Sequence, residues 1–283
     1  RTVNAAKAAQ TITFTQPASP ATYGTSFAVA PTASSGLAVT VTPSGGCTIA
    51  SNTVTMTSGT TACVLTASQA GNADYAAATD VARTVNAAKA AQATVTISVP
   101  GSMTVGQTGQ SAVAGGGSGT GAYSYATSTP TVCDVNASTG AITASAAGTC
   151  TLTATRATDA NYLVATSAPA SFPVTAPTIG LNPTSVTFTA SGSDPTPQTV
   201  DVTNTGTGTL SGLALGTITY GASEPTGWLG ASIAGATAPT TVTLTPTLGS
   251  LAAGTYHATV EVTSSAGGVT NSPQTITVTF TVQ

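Results

Sequence analysis

An all-β chain of three tandem β-sandwich domains, set in a rod-like array, is predicted by three observations. The decapeptide Arg1-Thr-Val-Asn-Ala-Ala-Lys-Ala-Ala-Gln10 recurs letter for letter from Arg83 to Gln92. Such internal identity marks a tandem array, here with a unit of about 80 residues. Threonine alternates with valine, isoleucine and leucine along short segments, the pattern of half-buried strands. Clusters of glycine, proline, serine and asparagine punctuate those segments, and no stretch shows a convincing helical period.

In the second decapeptide, Arg83-Thr-Val closes one unit and Ala90-Ala-Gln opens the next. Residues 1–7 are therefore expected to be the tail of a preceding repeat with its linker, and the chain a piece of a longer protein. The first unit spans residues 8–88, with strands expected over 11–15, 37–41, 47–49, 53–56 and 62–67. Period two places Cys47 with Ile49 on one face, and Cys63 with Leu65 and Ala67 on another, so both cysteines point to the apolar side. Turn signals separate these strands at Ser34-Ser-Gly36, Ser44-Gly-Gly46, Ser51-Asn52 and Ser58-Gly-Thr60.

The second unit, residues 89–176, repeats the plan. Ser68-Gln-Ala-Gly-Asn-Ala-Asp-Tyr75 corresponds to Thr155-Arg-Ala-Thr-Asp-Ala-Asn-Tyr162. An insertion near residues 115–121 is expected to form a longer, mobile loop. The third unit, residues 177–283, begins after Ala176-Pro177, carries no cysteine and has strands expected over 185–189, 199–203, 241–245, 256–262 and 275–282. The linkers are short and Ala-rich or Pro-marked, which favours a semi-rigid rod.

Composition narrows the function. Charged residues make up 5% of the 283, far below the usual share of about 25%. Lys and Arg together number 5 and the net charge is −3. Nucleic-acid binding needs several basic side chains to neutralise phosphates, and electrostatic membrane docking needs a basic patch; neither is expected. No apolar run reaches the ~18 residues of a spanning helix, so no membrane insertion is expected in this segment.

The four cysteines form two equivalently placed pairs, Cys47 with Cys63 and Cys133 with Cys150. Both spacings are too wide for the C-x-x-C pairs of a zinc site. One pair per unit reads as one disulfide per unit, with buried free thiols as the alternative. Closing such a loop stabilises by about 3 kcal/mol in the chain-entropy model, a useful staple for a small domain. Disulfides in turn point to a secreted or surface location.

With strands and cysteines placed, the first two units resemble the bacterial immunoglobulin-like tandem repeats of large secreted or surface, adhesin-like proteins. The resemblance rests on Gln10-Thr-Ile-Thr-Phe14, Gly36-Leu-Ala-Val39, Gly148-Thr-Cys150 with Thr151-Leu-Thr-Ala154, and Gln69-Ala-Gly-Asn-Ala-Asp-Tyr75. Thr60-Thr-Ala-Cys63 departs from the pattern by losing the glycine before its cysteine. The third unit is similar to the BACON-like immunoglobulin-like sandwiches of bacterial and phage carbohydrate-associated proteins. Its matching phrases are Gln198-Thr-Val-Asp-Val-Thr-Asn-Thr-Gly206, Trp228-Leu229, Leu251-Ala-Ala-Gly-Thr-Tyr256 and Asn271-Ser-Pro-Gln274. These families imply adhesion, spacing or accessory binding on a bacterial surface or virion, not catalysis.

Few residues invite chemistry. The single histidine, His257, shares the solvent face of its strand with Glu261, but four strand residues put about 13 Å between them. It is expected to be an ordinary exposed histidine, and no second histidine exists to build a triad. Lys7 and Lys89 occupy identical linker contexts and are read as solvated spacers. Asp74 and Asp159 are weak candidates for calcium at equivalent interdomain positions, each supplying one of the several oxygens calcium needs; a turn-forming role is the alternative. Trp228, the only tryptophan, is a candidate platform for a sugar ring, with packing at the core edge as the plainer role. Tyr75 and Tyr162 are equivalent and are expected to pack with the hydroxyl bonded to backbone.

The expectation is a non-catalytic extracellular stalk, structural or adhesive, on a cell surface or virion. It needs no cofactor, with calcium at the junctions held open, and its partners are the neighbouring repeats. One alternative is a carbohydrate- or surface-binding module that uses the third domain to hold surface glycans. Another is self-association into a filament or virion through edge strands, which here lack the lysines that usually guard them.

Overall fold

A computed structural model describes residues 6–283; the decapeptide's first five residues, and with them most of the expected tail of an earlier repeat, lie outside the described residues. Every regular element among the described residues is a β-strand. Two compact units divide the chain. One holds Arg1–Ile97, Ala114–Ser124 and Thr153–Ala168, and the other holds Ser98–Val113, Tyr125–Leu152 and Pro169–Gln283. The boundary passes through the strand Gly148–Arg156.

In the first unit, two three-stranded antiparallel sheets enclose a core. One runs Ser26–Ala28, Thr53–Met56, Cys47–Ala50, and the other Thr40–Gly45, Cys63–Ser68, Val81–Val85. The strand Cys63–Ser68 shows how sequence makes this fold: Cys63, Leu65 and Ala67 are fully buried while Val64, Thr66 and Ser68 alternate outward. Val41 and Val85 extend this buried row across the same sheet, and Ile12, Phe14, Val54 and Met56 complete the core. Each fully buried valine or leucine stabilises the fold by about 1.5–3 kcal/mol.

The expected strand at 37–41 begins later, as Thr40–Gly45. Gly36 turns the chain with a φ of 76°, and the Ser44-Gly-Gly46 turn signal is absorbed into the strand end, where Gly46 N–H bonds Ala62 O at 3.0 Å. The expected strand at 11–15 is cut to Ile12–Thr13.

The second unit contains the most regular part of the molecule. Two four-stranded sheets pack face to face. Their orders are Ile179–Asn182, Gln198–Asn204, Thr240–Pro246, Leu229–Ile233 and Ser185–Ala190, Gln274–Val282, Gly254–Ser264, Leu213–Tyr220. All pairings are antiparallel except Ser185–Ala190 with Gln274–Val282. In Gln274–Val282 the alternation is complete: Ile276, Val278, Phe280 and Val282 face the core, and the threonines between them face outward. All five strands expected from residue 185 onward are present. Three more were not anticipated: Ile179–Asn182, Leu213–Tyr220 and Leu229–Ile233. A register shift between Leu215 and Ile218 breaks the alternation of the second, and the other two are short and glycine-interrupted.

Candidate functional site

The cysteines are paired as Cys47–Cys63 and Cys133–Cys150, and no described cysteine is free. Each bond joins strands of different sheets, Cys47–Ala50 to Cys63–Ser68 and Cys133–Val135 to Gly148–Arg156. Cys63, Cys133 and Cys150 are fully buried.

The segments at residues 68–75 and 155–162 fold the same way. Asn72 Oδ1 accepts the N–H groups of Asp74 and Tyr75, both at 2.8 Å. Asp159 Oδ1 accepts those of Asn161 and Tyr162, also at 2.8 Å. Each turn is then tied to its decapeptide by a parallel bridge, Ala8 to Tyr75 and Ala90 to Tyr162. Recurring decapeptide and recurring turn are thus two halves of one device.

This geometry corrects the pairing of Asp74 with Asp159. Asp159 stands where Asn72 does, and Asp74 where Asn161 does. Asp159 is a turn former whose second oxygen also accepts Thr120 N–H at 2.6 Å and faces Thr120 Oγ1 at 3.3 Å. The backbone N–H of Thr120, followed by those of Asn161 and Tyr162, lowers its pKa to about 2. Both oxygens are occupied by donors, which a cation would have to displace. Asp74 is exposed, and its carboxylate accepts no hydrogen bond among the described residues. No cluster of three His, Cys, Asp or Glu side chains suited to a metal occurs among them.

The glycine-rich insertion is pinned, where a mobile loop was expected. Gln92 Oε1 accepts Ser118 and Gly119 N–H at 2.7 and 2.8 Å, so with Asp159 three successive amides are held by side chains. Arg156 lies 4.5 Å over the Tyr123 ring and donates to the carbonyls of Gly116 and Gly119. A Cβ at Gly119 would meet Asp159 Oδ2 and push that carboxylate from its place. In the first repeat, Gln10 accepts from Ser35 Oγ and donates to Gln69 Oε1 and Ala76 O.

Within the first compact unit, the 155–162 turn is also where repeat one meets repeat two. Gly59 N–H donates to Asn161 Oδ1 at 2.9 Å. Tyr23 and Tyr162 meet edge to face, with ring centroids 5.4 Å apart and planes at 77°. Lys89, expected to be a free spacer, donates from Nζ to Thr158 Oγ1 at 2.8 Å. The approach at Gly59 is close: a Cβ there would lie 2.8 Å from Ala160 O and 2.9 Å from Asn161 Cα. Tyr23, Gly59 and Asn161 were not singled out from sequence, where Ser58-Gly-Thr60 read as a plain turn. Ser58 Oγ does cap that turn, accepting Thr60 and Thr61 N–H.

Trp228 is 3% exposed, with its ring against Tyr220 and Phe280 at centroid distances of 5.7 and 5.3 Å. It therefore offers no ring face for stacking a sugar. A cleft of about 240 Å³ lies beside it, lined by residues 225–228 and 247–251. His257 is exposed, as expected, but its partner is Glu224 and not Glu261: Nδ1 lies 2.9 Å from Glu224 Oε1. The hydrogen bond to the His257 ring lowers the Glu224 pKa.

These features define a class of protein, a tandem array of β-sandwich domains of which the first two are each tied by a disulfide. No family model matches the sequence, and no curated protein matches it. Several solved structures can be superposed along most of its length. An S-layer protein, rSbsC(31-844), is 14% identical over 99% of this chain, with a TM-score of 0.35. An I-band fragment of titin is 14% identical over 96% of this chain and 98% of its own, with a TM-score of 0.38. Mouse cadherin-23 EC22-24 is 15% identical over 97% and 99%, with a TM-score of 0.32. The chain spans 41% of the length of the S-layer protein.

Proposed function

We propose that this chain is a segment of a non-catalytic extracellular stalk, structural or adhesive, in a larger bacterial surface or virion protein. Its domains are residues 8–88, 89–176 and 177–283, and its first partners are its own neighbouring repeats. The observation that carries the reading is the contact of Tyr23 and Gly59 with Tyr162 and Asn161. Repeat one is packed on the recurring turn of repeat two, not left on a loose tether, as a spacer requires. The inter-sheet disulfides support an oxidising location outside the cell. The burial of Trp228 counts against the carbohydrate-stacking alternative.

Light scattering with small-angle X-ray scattering on the purified chain tests the reading. A concentration-independent monomer of extended form is expected. A concentration-dependent oligomer would overturn the passive stalk in favour of assembly through edge strands, of which Leu213–Tyr220 and Leu229–Ile233 close their sheets without lysine.

A further inference from the structure

The device that receives repeat one on repeat two is present a second time, on repeat one itself. Its parts on repeat two are the parallel bridge of Ala90 to Tyr162, the side-chain acceptor at Asn161 and the Tyr162 ring. Repeat one carries the bridge of Ala8 to Tyr75, a side-chain acceptor at Asp74 and the Tyr75 ring, in a turn with the same hydrogen bonds. The decapeptide leading into both is identical. On repeat two the acceptor is filled by Gly59 N–H; on repeat one the Asp74 carboxylate is exposed and accepts nothing among the described residues. A carboxylate accepts a backbone N–H at least as well as an amide oxygen does.

We propose that Asp74 and Tyr75 form a docking face for a further repeat of the repeat-one kind, which inserts its equivalents of Gly59 and Tyr23. The occupant is specified by chemistry. It must bring a glycine, because a Cβ would strike the turn backbone as it would at Gly59, and an aromatic edge to meet the Tyr75 ring. The repeat-two kind does not qualify: aligning Cys150 with Cys63 puts Ala146 at the place of Gly59. A run of the repeat-one kind is thereby directional, each member receiving on its Asp74–Tyr75 turn and inserting its Tyr23 and Gly59. This inference rests on the tandem-array part of the stalk reading and goes beyond it by naming the contact.

The identical decapeptides allow a direct test. A second copy of residues 1–82 placed before Arg1 continues the repeat in register, since its Ala82 then precedes Arg1 as Ala82 precedes Arg83. Amide hydrogen exchange, resolved by NMR, compares the copied Gly59 with the original. Both amides are expected to be protected, and Asp74→Ala should speed exchange at the copied Gly59 about five- to tenfold, leaving the original unchanged. Asp74 makes no side-chain bond within its own repeat, so the variant should fold. Should the copied Gly59 exchange as a free loop while the original stays protected, or ignore Asp74→Ala, the docking face is refuted and the stalk reading survives. Oligomerisation in the scattering experiment would instead refute the stalk and leave the docking face intact.

Discussion

At Asp159 one side chain serves two masters, its own turn through Oδ1 and the glycine-rich insertion through Oδ2. Asn72 does only the first job in repeat one. The Asp159→Asn variant should therefore keep the turn and lose the acceptor for Thr120 N–H. Its pH behaviour follows from the lowered pKa. The folded value of about 2 is below the ordinary 3.8, so this carboxylate contributes stability above that range and loses it as pH falls through the window between them. Denaturant titrations at pH 5 and pH 2 should show a steeper loss for the parent chain than for Asp159→Asn; parallel losses would assign the acid sensitivity to other carboxylates. Gly59 is the other exacting position. Gly59→Val should destabilise the first unit by about 1–3 kcal/mol, the usual range for overpacking, in a denaturant titration followed by circular dichroism. Neither role was legible beforehand. Asp159 was matched with Asp74 by residue type, although the offset that aligns Tyr75 with Tyr162 aligns Asp159 with Asn72 and would have exposed the exchange of Asn and Asp.

Strands with unbroken alternation were legible from sequence, because a two-residue period forces apolar side chains to one face. Cys63–Ser68, Thr53–Met56 and Gln274–Val282 follow it closely. The elements that escaped have a reason for doing so: a bulge shifts the phase of Leu213–Tyr220, and Ile179–Asn182 is four residues flanked by prolines. The insertion at residues 115–121 deceived in the opposite direction. Glycine content suggests freedom, yet the partners that remove it, Gln92, Arg156 and Asp159, are remote in sequence. Amides of Ser118, Gly119 and Thr120 should accordingly exchange well below the rate of an open loop; exchange at the free rate would restore the mobile loop. The disulfides were legible from placement alone. Replacing both Cys47 and Cys63 with alanine should cost about 3 kcal/mol, to be read by calorimetry as a lowered Tm for the transition of the first unit.

For the whole molecule, the single tryptophan is a natural reporter. Trp228 lies in the core of the third domain, so its emission should be blue-shifted and poorly quenched by acrylamide, and soluble glycans should not move it. A red-shifted, glycan-sensitive emission would return Trp228 to the surface and revive the binding module. The sequence marked this domain by a change of pattern and the loss of cysteine, and its eight strands follow. Less legible was how contacts divide the chain, since the boundary between compact units falls inside the second repeat, within one strand. The inter-sheet disulfides carry a mechanical consequence. Under a pulling force a domain without a cross-link unravels to its full contour, but the bond between Cys47 and Cys63 leaves a separation of 16 residues that cannot extend. At ~3.5 Å per residue, each oxidised repeat withholds roughly 50 Å of slack. Tension would therefore extend each such repeat to about a fifth less than its full contour, and reduction would let out the rest.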